Sequence, residues 1–232
     1  MRNFLCIGHR GARGYEPENT LCSISRALDL GVHGVEVDVH VADGQLVVIH
    51  DETLERTTNG TGAVCEKTFD CLRSLDAGHG EKIPTLREVF DTVNRRAFVN
   101  VEMKGRGTAE PVRALVSEYA GARGWTCADF LISSFDLSEL RKLVGFEIRL
   151  APLFSELADD CADVALALGA YSVHVPSTAV DEVFVKNAHA AGLKVFVYTV
   201  NGHREIRAMR KIGVDGLFTD YPDRLLSLAG SG

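Results

Sequence analysis

Two hydrophobic periods alternate along this chain, one of about two residues and one of about 3.6, and they predict its elements. A short apolar run at residues 4–7 stops abruptly at Gly8-His9-Arg10-Gly11. Residues 20–31 then carry apolar side chains at three- and four-residue spacing. Asn19 or Thr20 can cap a helix there, and Gly31 suits its end. Residues 35–41 switch to strict alternation, with valines on one face and Glu36, Asp38 and His40 on the other. Asp43-Gly44 follows and leads into residues 46–51. So short a link makes a hairpin, because a parallel crossover needs a dozen or more residues. The hairpin places His50 beside the Glu36–Asp38 stretch.

Residues 52–82 are rich in Thr, Gly and Asp with weak periodicity, and read as an irregular excursion. Thr85, with Glu88 three residues on, restarts a helix through a capping box. Strand-like runs follow at 98–103, 130–134, 148–154, 171–175, 195–200 and 216–219. Helix-like runs at 110–120, 137–144, 182–191 and 203–212 lie among them. Leaving the hairpin strand aside, about eight βα units result. The predicted fold is therefore α/β, a closed (β/α)8 barrel with a short insertion after the second barrel strand.

In such a barrel the reacting groups sit where strands end. The polar residues at those ends are His9 and Arg10, Glu36 and Asp38, Glu102 and Lys104, Ser133 and Ser134, Ser155 and Glu156, His174, Thr199 and Asn201, and Thr219 and Asp220. Asn100, Glu102 and Lys104 share one face of their strand, and an inward face brings Glu102 to Glu36 and Asp38. Three converging carboxylates repel one another unless a cation lies between them. All-oxygen ligands suit Mg²⁺ or Ca²⁺, with Mn²⁺ as a further candidate, rather than Zn²⁺. Each carboxylate alone reads as well as a member of a structural ion-pair network; the set of three favours the metal site. His9 and His50 fit paired general acid and base work. Arg10 offers a planar fork, and Lys104 a point charge, to the oxygens of a phosphate. That combination describes phosphodiester cleavage.

Charge and composition narrow the class further. The 232 residues suit one large domain, taken as 1–232 with the inserted segment inside it. A net charge of −7 argues against nucleic-acid or anionic-membrane surfaces. It does not exclude an anionic substrate, since a bound cation reverses the sign of a pocket locally. No run approaches the ~18 apolar residues of a membrane span, and the start Met1-Arg2-Asn3 is not followed by a secretory core. Six scattered cysteines without a C-x-x-C pair are expected to be reduced and mostly buried, in a cytoplasmic protein. A homo-oligomer is left open.

The chain resembles the glycerophosphodiester phosphodiesterase family nearly end to end. The resemblance rests on Gly8-His9-Arg10-Gly11, Pro17-Glu18-Asn19-Thr20, Glu36-Val37-Asp38, Val48-Ile49-His50-Asp51, Thr57-Thr58-Asn59-Gly60, Ile83-Pro84-Thr85-Leu86 and Val101-Glu102-Met103-Lys104. It continues through Ser133-Ser134-Phe135, Tyr198-Thr199-Val200-Asn201 and the run from Asp215 to Pro222. It implies a TIM barrel that hydrolyses glycerophosphodiesters to sn-glycerol 3-phosphate and an alcohol. By similarity, Glu36, Asp38 and Glu102 hold one divalent cation, His9 and His50 are the acid/base pair, and Arg10 and Lys104 hold the phosphate. Tyr198 stands where the family often has tryptophan and lines the substrate wall, and Arg13 replaces a smaller residue near the mouth. Glu18 is expected either to orient the His9–Arg10 loop or to approach the metal. The inserted segment is expected to cover the glycerol side of the pocket. The other readings are a barrel phosphodiesterase acting on lysophospholipid, and a non-catalytic barrel that binds a phosphorylated ligand. His174 reads equally as a substrate contact or a structural histidine; His33, His79, His189 and His203 are expected to face solvent.

Overall fold

A computed structural model describes residues 4–158 and 160–229, so Met1-Arg2-Asn3 lies outside the described residues. The first helix, α1 (Leu21–Leu30), forms where the spacing predicts it. Thr20 accepts the Ser23 amide at its start, and Gly31 ends it in the left-handed region. β1 (Leu5–Gly8) precedes it, and β2 (Gly34–Ala42) and β3 (Gln45–Val48) follow as an antiparallel hairpin through Asp43 and Gly44. The excursion carries a short helix, α2 (Phe69–Ser74), started by Thr68. Then come α3 (Leu86–Val93), with the predicted Thr85–Glu88 capping box, and β4 (Phe98–Met103). The remaining alternation is α4 (Ala109–Ala122), β5 (Phe130–Ser134), α5 (Leu137–Arg141), β6 (Arg149–Pro152), α6 (Cys161–Ala167), β7 (Ser172–Pro176), α7 (Glu182–Ala190), β8 (Lys194–Tyr198), α8 (His203–Ile212), β9 (Gly216–Thr219) and α9 (Pro222–Ala229).

Eight strands are parallel and run in the order β6-β5-β4-β2-β1-β9-β8-β7, with β3 paired only to β2. The two ends of that order meet: the Tyr171 amide donates to Leu150, and the Phe154 amide to His174. The fold is thus the predicted (β/α)8 TIM barrel. Among the described residues no helix is long and apolar enough to cross a membrane.

Side-chain alternation separates two apolar layers. Val35, Val37 and Val39 of β2, and Val99, Val101 and Met103 of β4, face outward and pack under the helices. The aromatic group Phe90, Tyr119, Trp125 and Phe130 belongs to this outer layer, with ring centroids as close as 4.9 Å. Inside the barrel, Ile7, Leu131, Ala151, Phe196 and Phe218 form the floor, with Phe98 and Tyr171 against them. Above that floor Glu36 and Asp38 of β2 and Asn100 and Glu102 of β4 line the inside toward the mouth. The barrel is consequently plugged at one end and chemically equipped at the other.

Several expectations change. β6 and β8 are shorter than the predicted 148–154 and 195–200, because their last residues leave the ladder for the loops at the mouth. The helix expected over 137–144 ends at Arg141 and continues as three-residue turns. The excursion is less irregular than its composition suggests. Leu54, Val64, Leu72, Ala77 and Ile83 pack on Ala42, Val47 and Ile49 of the hairpin as a small core of their own. The six cysteines are free, but only Cys6 and Cys161 are buried, and Cys65 and Cys71 of the excursion are exposed. His33, His79 and His203 are exposed as expected, whereas His189 is half-buried with Nε2 2.8 Å from Asp215.

Candidate active site

The loop after β1 carries His9 and Arg10, and its shape follows from close backbone approach. A Cβ on Gly8 would lie 2.6 Å from the Gly11 carbonyl oxygen. Gly11 has φ +81°, and a Cβ there would come within 2.5 Å of Ser23. Arg10 itself is left-handed, at φ 52°. Its amide donates to Glu36 (2.7 Å), and its carbonyl accepts from the Ser23 hydroxyl (2.8 Å) and the Asn19 amide (3.1 Å). A strained conformation held by three partners on other elements marks a position fixed by its surroundings.

Register explains the carboxylates. β2 and β4 pair with Glu36 opposite Asn100 and Asp38 opposite Glu102, all on the inward face. One oxygen from each of Glu36, Asp38 and Glu102 lies within 4.8 Å of the others. Burial first, then Asp38 and Glu102, pushes the Glu36 carboxyl well above its ordinary range. Burial and Asp38 raise Glu102 to about 7, against the opposing pull of Lys104. Glu36 Oε1 is buried without a partner. A crowded set of three oxygen donors with one lone carboxylate oxygen fits a hard divalent cation.

Two cations and two histidines surround this group. Lys104 donates to Glu102 (2.7 Å) and lies 3.2 Å from His50 Nε2; Arg10 Nε is 3.3 Å from Asp38. Burial pulls the Lys104 ammonium down, but Glu102 and Asp38 together raise it, so it stays charged. Each histidine has a carboxylate behind it. His9 Nδ1 is 2.7 Å from Asp220, which Asn201 (2.8 Å) and Arg13 (3.1 Å) hold in turn. His50 Nδ1 is 2.6 Å from Asp51. Both imidazoles fall below their ordinary pKa, chiefly through burial. With Nδ1 taken by a carboxylate, Nε2 is the nitrogen left for other partners in both rings.

These groups share a cavity of about 570 Å³, counted with its open mouth. His9, Arg10, Glu36, His50, Glu102 and Lys104 line one side; Phe135, Leu153, Tyr198 and Thr199 line the wall opposite, over a floor of Asn100, His174 and Phe218. The Tyr198 hydroxyl donates to the Phe154 carbonyl (2.7 Å), so Tyr198 offers the cavity its ring. Asp38 stands behind Arg10 and Asn19 (2.9 Å) and is fully buried.

Matching against family models pairs residues 9–224 with the glycerophosphoryl diester phosphodiesterase family. The chain belongs to that family. A glycerophosphodiester phosphodiesterase from Caldanaerobacter subterraneus subsp. tengcongensis is 36% identical over 244 residues, covering 98% of this chain and 98% of the relative. One from Bacillus altitudinis is 33% identical, covering 96% of each. Among solved structures, a phosphodiesterase from Oleispira antarctica in complex with its product sn-glycerol-3-phosphate superposes with TM-score 0.90 at 31% identity, covering 98% of this chain and 97% of that one. As a member of the family this protein is a hydrolase of glycerophosphodiesters.

Within the family frame, several expectations sharpen. Glu18 orients the loop and does not join the carboxylate group: it accepts from Arg10 (2.7 Å) and from both terminal nitrogens of Arg56 (2.8 Å each). No residue of the inserted segment, 52–82, is among those lining the cavity. The segment reaches the site through Arg56, which grips Asp51 (2.6 and 2.8 Å) as well as Glu18. Arg13 adds no free cation at the mouth; Asp220 takes it. The supporting residues Asp220, Asn201, Asp51 and Arg56 had no assigned roles in the sequence reading, and Asn19 was read only as a helix cap. Asp51 was signalled by adjacency to His50, and Asp220 and Asn201 by strand-end position. Nothing local pointed to Arg56.

Glu18 gives a stability signature. Burial raises its pKa, but Arg56 and Arg10 outweigh burial and hold it at about 2. Its stabilisation is therefore complete above pH ~4.5 and is lost as pH falls toward 2. Glu18→Gln is expected to unfold on the order of 1–3 kcal/mol more easily at pH 7. Urea titrations of both proteins should show that gap narrowing between pH 5 and pH 3; a gap independent of pH would mean Glu18 is not held as an ion pair.

Proposed function

We propose that this enzyme depends on a divalent cation and cleaves small glycerophosphodiesters, such as glycerophosphocholine or glycerophosphoethanolamine, to sn-glycerol 3-phosphate and the free alcohol. The supporting observation is the buried group of Glu36, Asp38 and Glu102, flanked by two histidines that are each backed by a carboxylate. Those three residues would hold the cation, with Mg²⁺ or Ca²⁺ favoured by an all-oxygen set and Mn²⁺ also accommodated. When bound, the cation supplies charge neutralisation and Lewis acidity to the phosphate. Arg10 and Lys104 bind the phosphate's non-bridging oxygens beside it.

The protein's own residues then move two protons. One of His9 and His50 removes the proton from the attacking hydroxyl, of water or of the glycerol 2-position. The P–O bond to the head-group alcohol breaks, and the other histidine gives its proton to the departing oxygen. If the glycerol hydroxyl attacks, water opens the resulting cyclic phosphate with the two roles exchanged. Asp220 and Asp51 keep each ring oriented through Nδ1 throughout. Phe135 and Tyr198, with ring centroids 6.2 Å apart, form an apolar wall beside the reacting group.

Phosphorus NMR of turnover decides between these outcomes. Chelator-treated protein should be inert and should regain activity with Mg²⁺, Ca²⁺ or Mn²⁺, releasing sn-glycerol 3-phosphate and choline from glycerophosphocholine. Full turnover in excess chelator overturns the cation requirement. Faster turnover of lysophosphatidylcholine than of glycerophosphocholine overturns the substrate class.

A further inference from the structure

Four side-chain atoms among the described residues are buried without a hydrogen-bond partner: Arg10 Nε, Glu36 Oε1, Asn100 Oδ1 and His174 Nδ1. The first two belong to the phosphate and cation groups proposed above. The last two belong to neither, yet both residues line the same cavity. An unpaired buried polar atom costs roughly 1–3 kcal/mol, so two at one floor call for an occupant.

The chemistry of that occupant follows from what each atom can exchange. Asn100 spends its amide NH₂ on the Ser133 hydroxyl (3.0 Å), which leaves Oδ1 as a pure acceptor. His174 has Nε2 3.2 Å from the Ser172 hydroxyl, so Nδ1 either accepts or donates, according to which partner holds the shared proton. His174 is fully buried between the rings of Phe196 and Phe218, 5.5 and 4.9 Å away, and burial pushes its pKa down to about 3. The floor therefore offers an acceptor and a neutral imidazole. A phosphate, which brings acceptors and negative charge, fits badly there. An alcohol O–H, which donates and accepts, satisfies both atoms.

We propose that Asn100 Oδ1 and His174 Nδ1 form a hydroxyl-reading subsite at the barrel floor, which takes a free hydroxyl of the substrate's glycerol. This rests on the substrate class proposed above. The phosphate stays at the cationic rim, and one end of the glycerol is read at depth by Asn100 and His174. Ser133 and Ser172 act as positioning residues, because they consume the other hydrogen-bonding atom of each reader.

The test compares substrates as well as variants. Cation-loaded enzyme is assayed with glycerophosphocholine and with its propane-1,2-diol and propane-1,3-diol analogues, each lacking one glycerol hydroxyl. The wild type should lose roughly ten- to a hundredfold in kcat/KM with the analogue that lacks the hydroxyl read at the floor. In His174→Leu the ratio between glycerophosphocholine and that analogue should collapse toward one. His174→Asn, which returns a polar atom near Nδ1, should restore part of the preference and serves if the leucine variant does not fold. Equal losses on all substrates in both variants, or no discrimination by the wild type, would overturn the subsite. A thermal-shift comparison covers the case in which no glycerophosphodiester is turned over and the substrate class itself fails. There, sn-glycerol 3-phosphate should stabilise the wild type more than inorganic phosphate or propanediol phosphate does, and His174→Asn should reduce that difference. A wild type that these ligands stabilise equally overturns the subsite on its own.

Discussion

His50→Ala and His9→Ala are each expected to lower kcat by about 10²–10⁴, the usual worth of a positioned proton-transfer group. The cause is direct, since either change removes a cavity-lining imidazole whose Nδ1 is engaged by a carboxylate. In the proposed arrangement Arg10 and Lys104 bear the phosphate, and Glu18 and Glu102 hold their side chains, so KM should move less. Asp220→Asn and Asp51→Asn should fall between these variants and wild type, by releasing the rings rather than deleting them. The pH profile provides a second reading. A base must be neutral to act, and burial lowers both imidazoles, so the acidic limb of kcat/KM should lie below pH 6.5. Stopped-time assays of each variant check this; a histidine variant retaining more than a tenth of wild-type kcat would remove that residue from proton transfer.

Glu102→Gln should abolish activity and, separately, the stabilisation by divalent cations. Without a cation, Glu36 and Glu102 resist ionisation, since burial and their neighbours raise both. For a carboxyl whose folded pKa lies above its unfolded value, stability is complete below the unfolded pKa and is lost as pH rises through the folded one. For Glu102 that window runs from its ordinary 4.5 to about 7. Cation-free protein should therefore weaken as pH climbs through that window. A cation that binds the ionised carboxylates should reverse the loss, so its gain in Tm should be larger at pH 8 than at pH 6. Glu102→Gln should show little cation-dependent gain at either pH and a flatter dependence without cation. Scanning calorimetry with and without Mg²⁺ or Ca²⁺ measures both; an unchanged cation response in Glu102→Gln would show that the cation binds elsewhere.

Much of this arrangement could be read from local pattern. The two faces of β2 followed from alternation alone, because successive side chains in a strand point to opposite sides whatever surrounds them. The same reasoning put Asn100, Glu102 and Lys104 on one face. The Thr85–Glu88 box was equally local, since a helix start is satisfied within four residues. The excursion was harder. Its small core draws on Ala42, Val47 and Ile49 of the hairpin, so residues 52–82 show no period of their own.

The sequence alone thus settled which residues share a face on these strands, and its run of motifs pointed to the family. Tertiary structure decided the rest: that Asp38 and Glu102 stand level across β2 and β4, and that Asp220 lies behind His9 from 211 residues away. It also decided that Arg56 ties the histidine support to the Arg10 support, and that Asn100 and His174 keep unpaired atoms at the floor. The physical reason is the range of the interactions. Periodicity and capping are satisfied within a few residues and leave a trace in the chain. Burial, sheet register and hydrogen bonds between distant strands exist only once the barrel has closed.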